Sequence, residues 1–268
     1  MSSTLDPKLN ICVFISGRGS NLKAILEACE KPEFPARVTC VISNKPQAGG
    51  LDYAKEYNIP YAVLSHKDYD SKTAYEDALL EALSYEKVDL ICLAGFMRLL
   101  SPHFLNHWGR YIINIHPSLL PKYKGLDTHK RAIDAGDSEA GCSVHYVIPE
   151  MDAGEIIVQR SVKISKKETE DSLAAKVLVE EHEAYKQAII IVARHKFQDS
   201  VDDNYENDVS STLNRNKNQH KNTLKDAQMA DKDAINESQI MWTHFMTAAK
   251  YMGGFVTVIL ILMALFLL

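Results

Sequence analysis

Asn10-Ile-Cys-Val-Phe-Ile-Ser16, running straight into Gly17-Arg18-Gly19-Ser20-Asn21, decides how this chain folds. Residues 10–16 are a continuous apolar run closed by turn residues, the pattern of a strand buried on both faces. From Asn21 to Cys29 the apolar positions switch to helical spacing. The alternation continues outward. RVTCVIS (37–43) is a strand, 50–57 a helix, YAVLS (61–65) a short strand and 71–85 a helix. VDLICLAG (88–95) and YIINI (111–115) are further strands, separated by a short helix over 101–108 that Ser-Pro opens. Strands and helices alternating at these lengths predict an α/β fold, a doubly wound, mostly parallel sheet. CSVHYVI (142–148) and EIIVQRSVKI (155–164) read as an antiparallel late strand pair joined by a short turn. A closing helix over 168–195 turns Leu173, Val177, Ala184 and Ile189 inward.

The composition changes after residue 197. Gln198 to Asp233 is rich in Asn, Asp, Lys and Ser. Such a stretch buries too little apolar surface to offset its ordering entropy, so 198–233 reads as a disordered linker. Residues 234–268 form a tail ending in AKYMGGFVTVILILMALFLL (249–268), uncharged after Lys250. At about 1.5 Å rise per residue, roughly 20 residues cross a hydrocarbon core of about 30 Å, so one C-terminal transmembrane helix is expected over 249–268. A buried or interface helix is the alternative. The expected organisation is a globular domain over 1–197, the linker and the single-span tail. The formal charge of −5 gives no reason to expect nucleic-acid binding. Cys12, Cys29, Cys40, Cys92 and Cys142 are scattered without a CxxC pair, as buried reduced thiols would be. No metal is expected. Met-Ser-Ser-Thr-Leu-Asp at the start carries no secretory pattern.

In an open parallel sheet, ligands lie beyond the carboxyl ends of the strands. Four segments should reach that edge. Ser16 to Asn21 brings glycines and the start of a helix together, where free N–H groups favour an anion. The spacing fits a phosphate monoester better than a dinucleotide, and a plain tight turn reads equally well. Leu93 to Leu100 is apolar with one Arg and suits a flat slot for a planar ring, or ordinary core. Asn114 and His116 are two apart at a strand end, so they share a face. A polar pair on an apolar strand needs partners or a function. Pro117 and Pro121 stiffen the following loop, and Leu120–Pro121 is a candidate cis peptide. Glu150-Met-Asp-Ala-Gly154 is turn chemistry unless the fold carries Asp152 to His116.

ISGRGSN, AGFMRLLSP, NIHPSLLPKYKG and MDAGEII, in this order and spacing, resemble the phosphoribosylglycinamide formyltransferase family over residues 8–195. Related families differ: methionyl-tRNA formyltransferases would carry a basic C-terminal domain, and formyltetrahydrofolate deformylases an N-terminal regulatory one. The resemblance implies catalytic roles for Asn114, His116 and Asp152. It places the substrate phosphate on Gly19, Ser20 and Asn21, with Glu181 contacting the same substrate. It assigns the folate pocket to Met97, Arg98, Leu99 and Leu100, to Ile148, Pro149, Glu150, Met151 and Asp152, and to Asn114. Lys72 stands where the family usually has Arg, a point charge in place of a planar fork. The co-substrate implied is 10-formyltetrahydrofolate and the acceptor is the amine of glycinamide ribonucleotide, in purine synthesis. Asn114 and protonated His116 would donate to the oxyanion formed as the amine attacks, and Asp152 would favour the imidazolium.

The tail from Met229 is similar to the small single-span subunit IV of bacterial haem-copper cytochrome c oxidases, through a polar stretch, Trp242, Phe245 and one span. It reads as a fused or read-through segment, or as the anchor of a tail-anchored enzyme. In either case the catalytic domain is expected in the cytoplasm, with membrane contact through the tail. A homodimer and an association of the tail with an oxidase are left open. Two other functions compete: a formyltransferase for another amine, such as an amino sugar nucleotide, and a membrane-tethered scaffold that only binds folate or nucleotide.

Overall fold

The computed structural model describes residues 8–109 and 111–212, from 199 onward as backbone alone. The strands are β1 (Leu9–Ile15), β2 (Ala36–Ser43), β3 (Tyr61–Val63), β4 (Leu90–Leu93), β5 (Tyr111–His116), β6 (Glu139–Tyr146) and β7 (Ile156–Lys163). The helices are α1 (Ser20–Cys29), α2 (Gly50–Glu56), α3 (Lys72–Ser84), α4 (Pro102–Trp108), α5 (Thr128–Asp134) and α6 (Glu170–Thr212). One sheet carries all seven strands in the order β3-β2-β1-β4-β5-β6-β7. β1 to β5 run parallel, while β6 and β7 pair antiparallel. The expected α/β architecture is present, with its late antiparallel pair.

β1 shows why a continuous apolar strand sits at the centre. Ile11, Val13 and Ile15 join the core that α1 and α6 cover, through Leu22, Ile25, Leu173, Val177 and Ile189. Phe14 meets Phe96 and Phe104 edge-on, at centroid distances of 5.2 and 6.4 Å. Burying one such side chain contributes about 1.5–3 kcal/mol, so both faces of β1 are worth covering. The strand order reverses between β1 and β4, which opens a crevice at their carboxyl ends.

Several boundaries differ from the sequence reading: β4 is confined to Leu90–Leu93, β6 begins at Glu139, and α5 occupies a stretch for which no element was expected. β3 ends at Val63 because Ser65 caps a 3-10 turn, accepting from the Lys67 N–H. The β6–β7 connection, 147–155, is longer than a short turn. Asp152 adopts φ +48°, and a Cβ on Gly154 would lie 1.8 Å from the Tyr146 carbonyl oxygen, so this loop folds back over its own strand. α6 runs to Thr212, so the backbone of 198–212, expected to be disordered linker, is helical. No Gly or Pro interrupts that stretch, and extending an existing helix needs no new nucleus. No helix among the described residues is long and apolar enough to cross a membrane. The rest of the linker, the oxidase-like tail and the span over 249–268 lie outside the described residues. All five cysteines are free; burial pushes Cys29 up to about 11 and Cys142 up to about 12.

Candidate active site

β5 delivers Asn114 and His116 to the carboxyl edge, and its antiparallel partner β6 sets His145 opposite Asn114 and Ser143 opposite His116. The folded-back 147–155 loop then brings Asp152 between the two histidines. Asp152 Oδ2 lies 3.4 Å from His116 Nδ1, and Oδ1 lies 3.7 Å from His145 Nε2. The Gly125 N–H donates to Asp152 Oδ2 at 2.9 Å. The sequence-derived trio of Asn114, His116 and Asp152 therefore converges, and His145 completes it.

Hydrogen bonding assigns the ring protons. His145 Nδ1 faces the Tyr146 carbonyl at 2.9 Å, and a carbonyl only accepts, so Nδ1 carries the proton. Burial pushes the His145 pKa down, against the opposing pull of that carbonyl and of Asp152. The neutral ring leaves Nε2 as an acceptor, 3.2 Å from Asn114 Nδ2. His145 thereby fixes which way the Asn114 amide points: one N–H is held by the ring and the other is left to donate. The same logic applies to His116, whose Nε2 donates to the Tyr123 carbonyl at 2.9 Å while Nδ1 faces Asp152. Both ring nitrogens of His116 are thus engaged.

The loop after β5 is seated from below. Ser143 Oγ, fully buried, donates to the Ser118 carbonyl at 2.6 Å and accepts from the Leu120 N–H at 3.0 Å. Gln159 on β7 donates to both Ser143 Oγ and the Leu120 carbonyl at 2.8 Å. Ser118 Oγ closes the turn on the Lys122 carbonyl at 2.6 Å. Leu120–Pro121 is cis, as the sequence suggested.

At the other side of the crevice, Gly19 precedes α1 at φ +78° with no side chain capping the helix start. A Cβ on Gly19 would lie 2.4 Å from the Gly50 Cα, so the two backbones touch there. The uncapped first turn leaves amide N–H groups and the positive end of the helix dipole available to an anion. Asn21 Nδ2 donates to Glu181 Oε2 at 2.8 Å. Burial pushes the Glu181 carboxyl up, opposed by that bond. Asn21 Oδ1 is buried without a partner.

The folate-slot residues divide. Met97 and Leu99 are 65% and 63% exposed, while Leu100 is packed inside. Arg98 is half-buried, and Ile148, Pro149, Glu150 and Met151 are exposed. Lys72 Nζ lies 3.8 Å from Glu76 Oε1; the buried Glu76 carboxylate accepts from the Ser101 N–H and hydroxyl, which ties Lys72 to the base of the 97–101 loop. Lys124 Nζ meets Glu150 Oε1 at 3.2 Å, joining the loop after β5 to the 148–152 loop. A cavity of about 360 Å³ lies behind the first of these, walled by Pro117, Leu119, Tyr123, Thr128 and Asp137. Among the described residues, no group of three or more His, Cys, Asp or Glu could hold a metal ion.

His145, Ser143 and Gly50 were missed by the sequence reading. Ser143 and His145 repeat the two-residue polar spacing of Asn114 and His116 in the strand that pairs with them, and that signal was available.

This fold and cluster define a class of group-transfer proteins. The formyl transferase family model matches residues 9–189, and the chain belongs to that family. Among curated proteins it is 44% identical over 177 residues to the phosphoribosylglycinamide formyltransferase of Escherichia coli (strain K12), covering 66% of this chain and 84% of that one. It is also 41% identical over 191 residues to the trifunctional purine biosynthetic protein adenosine-3 of Bos taurus, covering 71% of this chain. The chain spans only 19% of that relative's length. The crystal structure of phosphoribosylglycinamide formyltransferase from Brucella melitensis superposes with a TM-score of 0.67 at 48% identity, covering 69% of this chain and 96% of that one.

Proposed function

We propose that the chain transfers the formyl group of 10-formyltetrahydrofolate to the primary amine of glycinamide ribonucleotide, a step of purine synthesis. The observation that carries this reading is the convergence of Asn114, His116 and Asp152 across the crevice from the uncapped start of α1. The substrate phosphate takes the N–H groups from Gly19 to Asn21, and Glu181 contacts the same substrate. The planar co-substrate takes the slot of Met97 to Leu100 and Ile148 to Asp152, with Lys72 at its charged end. The amine attacks the formyl carbon, and the carbonyl oxygen becomes an oxyanion. Asn114 donates its free N–H to that oxygen. His116 Nε2 donates as well once the oxygen replaces the Tyr123 carbonyl as its partner. The carbon–nitrogen bond to folate then breaks, and the proton lost by the amine goes to the departing folate nitrogen through His116 or water. Asp152 holds His116 in the orientation this needs.

Formyl transfer by the purified full chain, followed as release of tetrahydrofolate, tests the reading. Turnover with glycinamide ribonucleotide is expected. No turnover with it, but turnover with an amino sugar nucleotide, overturns the choice of acceptor. No formyl transfer to any amine favours a binding role and overturns the enzyme.

For the remainder, composition alone supports a single membrane span over 249–268, with the catalytic unit in the cytoplasm beside its soluble substrates. The likeness to an oxidase subunit makes a fused or read-through tail our reading of 229–268. Fractionating cells and blotting for the intact 30.1 kDa chain checks both. Recovery only as a shorter soluble product would overturn the anchor.

A further inference from the structure

The two substrate regions meet at one buried hydroxyl. Ser16, the residue after β1, is 5% exposed, and Asn44, just beyond β2, is 3% exposed. Ser16 Oγ donates to Asn44 Oδ1 at 2.6 Å and accepts from the Met97 N–H at 2.8 Å. A serine has one proton to give, so handing it to Asn44 turns a lone pair toward Met97. Asn44 therefore sets the polarity of the joint. The sheet order puts β1 beside β4 at the reversal of winding, so the Ser16–Met97 bond crosses the crevice floor. One residue further, the Gly17 carbonyl accepts from the Gly50 N–H at 3.0 Å, which anchors the next peptide of the anion-binding loop.

We propose that Ser16, oriented by Asn44, is a positioning residue that keeps the anion-gripping loop and the apolar slot in register, so that the amine meets the formyl carbon. This rests on the assignment of those two loops under Proposed function. Neither side chain touches the reacting atoms. Bond formation needs those atoms about 3–3.5 Å apart and aligned, and a misplacement of about 1 Å costs about 100-fold. A joint between the two loops acts on that separation while leaving each loop able to bind its own ligand.

The test is steady-state kinetics of the full chain with both substrates varied, for the wild type, Ser16→Ala, Ser16→Thr and Asn44→Ala. Amide hydrogen exchange at Met97 is the second readout. Ser16→Ala is expected to lower kcat per folded molecule about 10- to 100-fold, with both KM values changing by no more than about 3-fold. Met97 exchange should accelerate, and Ser16→Thr, which keeps the hydroxyl, should restore kcat. If Ser16→Ala does not fold, Asn44→Ala carries the test, with a smaller fall in the same direction. A Ser16→Ala enzyme with wild-type kcat overturns the joint alone, as does a rise in one KM with kcat unchanged. A wild type that transfers no formyl group overturns the reaction, and the role of Ser16 with it.

Discussion

The two lips of the crevice are built from different materials. The β1 side offers backbone: the uncapped start of α1, with Gly19 pressed on Gly50. The β5–β6 side offers side chains, with Asn114, His116, His145 and Asp152 drawn from two strands and a loop. Backbone N–H groups make a site for an anion that needs holding and no proton transfer. Side chains, with titratable rings and a carboxylate, suit the side where charge develops and protons move. The N–H groups of the first lip come from one short stretch of chain, backed by Gly50 at the start of α2; the second exists only because β5 and β6 pair in one register and the 147–155 loop folds back.

Substitutions on each lip should therefore fail differently. Asn114→Ala is expected to give the largest effect: removing the oxyanion donor proposed above should cost about 2.7–4 kcal/mol of barrier, a fall in kcat of about 100- to 1,000-fold. Thermal stability should stay near wild type; near-normal turnover would remove Asn114 from the chemistry. Gly19→Ala attacks the other lip. A Cβ at φ +78°, 2.4 Å from Gly50, should cost about 1–3 kcal/mol of stability, read by urea denaturation. It should also raise KM for the phosphorylated substrate more than it lowers kcat.

Ser143→Ala leaves the Leu120 N–H and the Ser118 carbonyl without their buried partner, at about 1–3 kcal/mol by the same denaturation measurement. Undiminished stability would mean that Gln159 alone seats the loop. Lys72→Ala should have the smallest effect. Lys72 itself is half exposed, so a contact from it to the folate is screened by water, and KM for the folate should rise by no more than about 5-fold, in line with up to about 1 kcal/mol for a solvent-exposed contact. A fall in kcat would show that Lys72 acts beyond the proposed folate contact.

The histidines sharpen the contrast through pH. Burial lowers the pKa of His129, His145 and His182 below the ordinary 6.5. Below pH 6.5 the unfolded chain takes up protons that the folded chain refuses. The stability they permit is therefore full above pH 6.5 and declines as pH falls through that value toward the folded pKa values. Glu181, raised by burial, works the other way: its folded form holds a proton longer, so its contribution declines as pH rises above 4.5. His145→Gln should flatten the acid limb of a urea-midpoint profile below pH 6.5. An unchanged limb would mean that folding does not lower the His145 pKa.

The sheet was largely legible because a strand buried on both faces must be apolar throughout, as β1 is, and such runs stand out beside helical spacing. The glycine turn before α1 was legible for a similar reason, since its glycines and the helix start are consecutive. The trio of Asn114, His116 and Asp152 was legible as a set through its family resemblance, and through residue type for the first two. Other features carried no such local mark. Ser16 and Met97 lie far apart along the chain, Gly50 looks like an ordinary helix start, and the helical backbone of 198–212 runs against a composition that favours disorder.

By itself the sequence determined most of the strands and helices, though neither α5 nor the far end of α6, and it determined where the glycine turn falls and which polar residues stand on apolar strands, because these follow from side-chain periodicity and backbone freedom within a few residues. Tertiary structure alone decided that His145 turns the Asn114 amide, that Tyr123 occupies His116 Nε2 and that Ser16 bonds across to Met97. Those contacts depend on strand register and loop return. A hydrogen bond is directional over tenths of an ångström, and no local pattern of residues specifies where a distant partner will be placed to that tolerance.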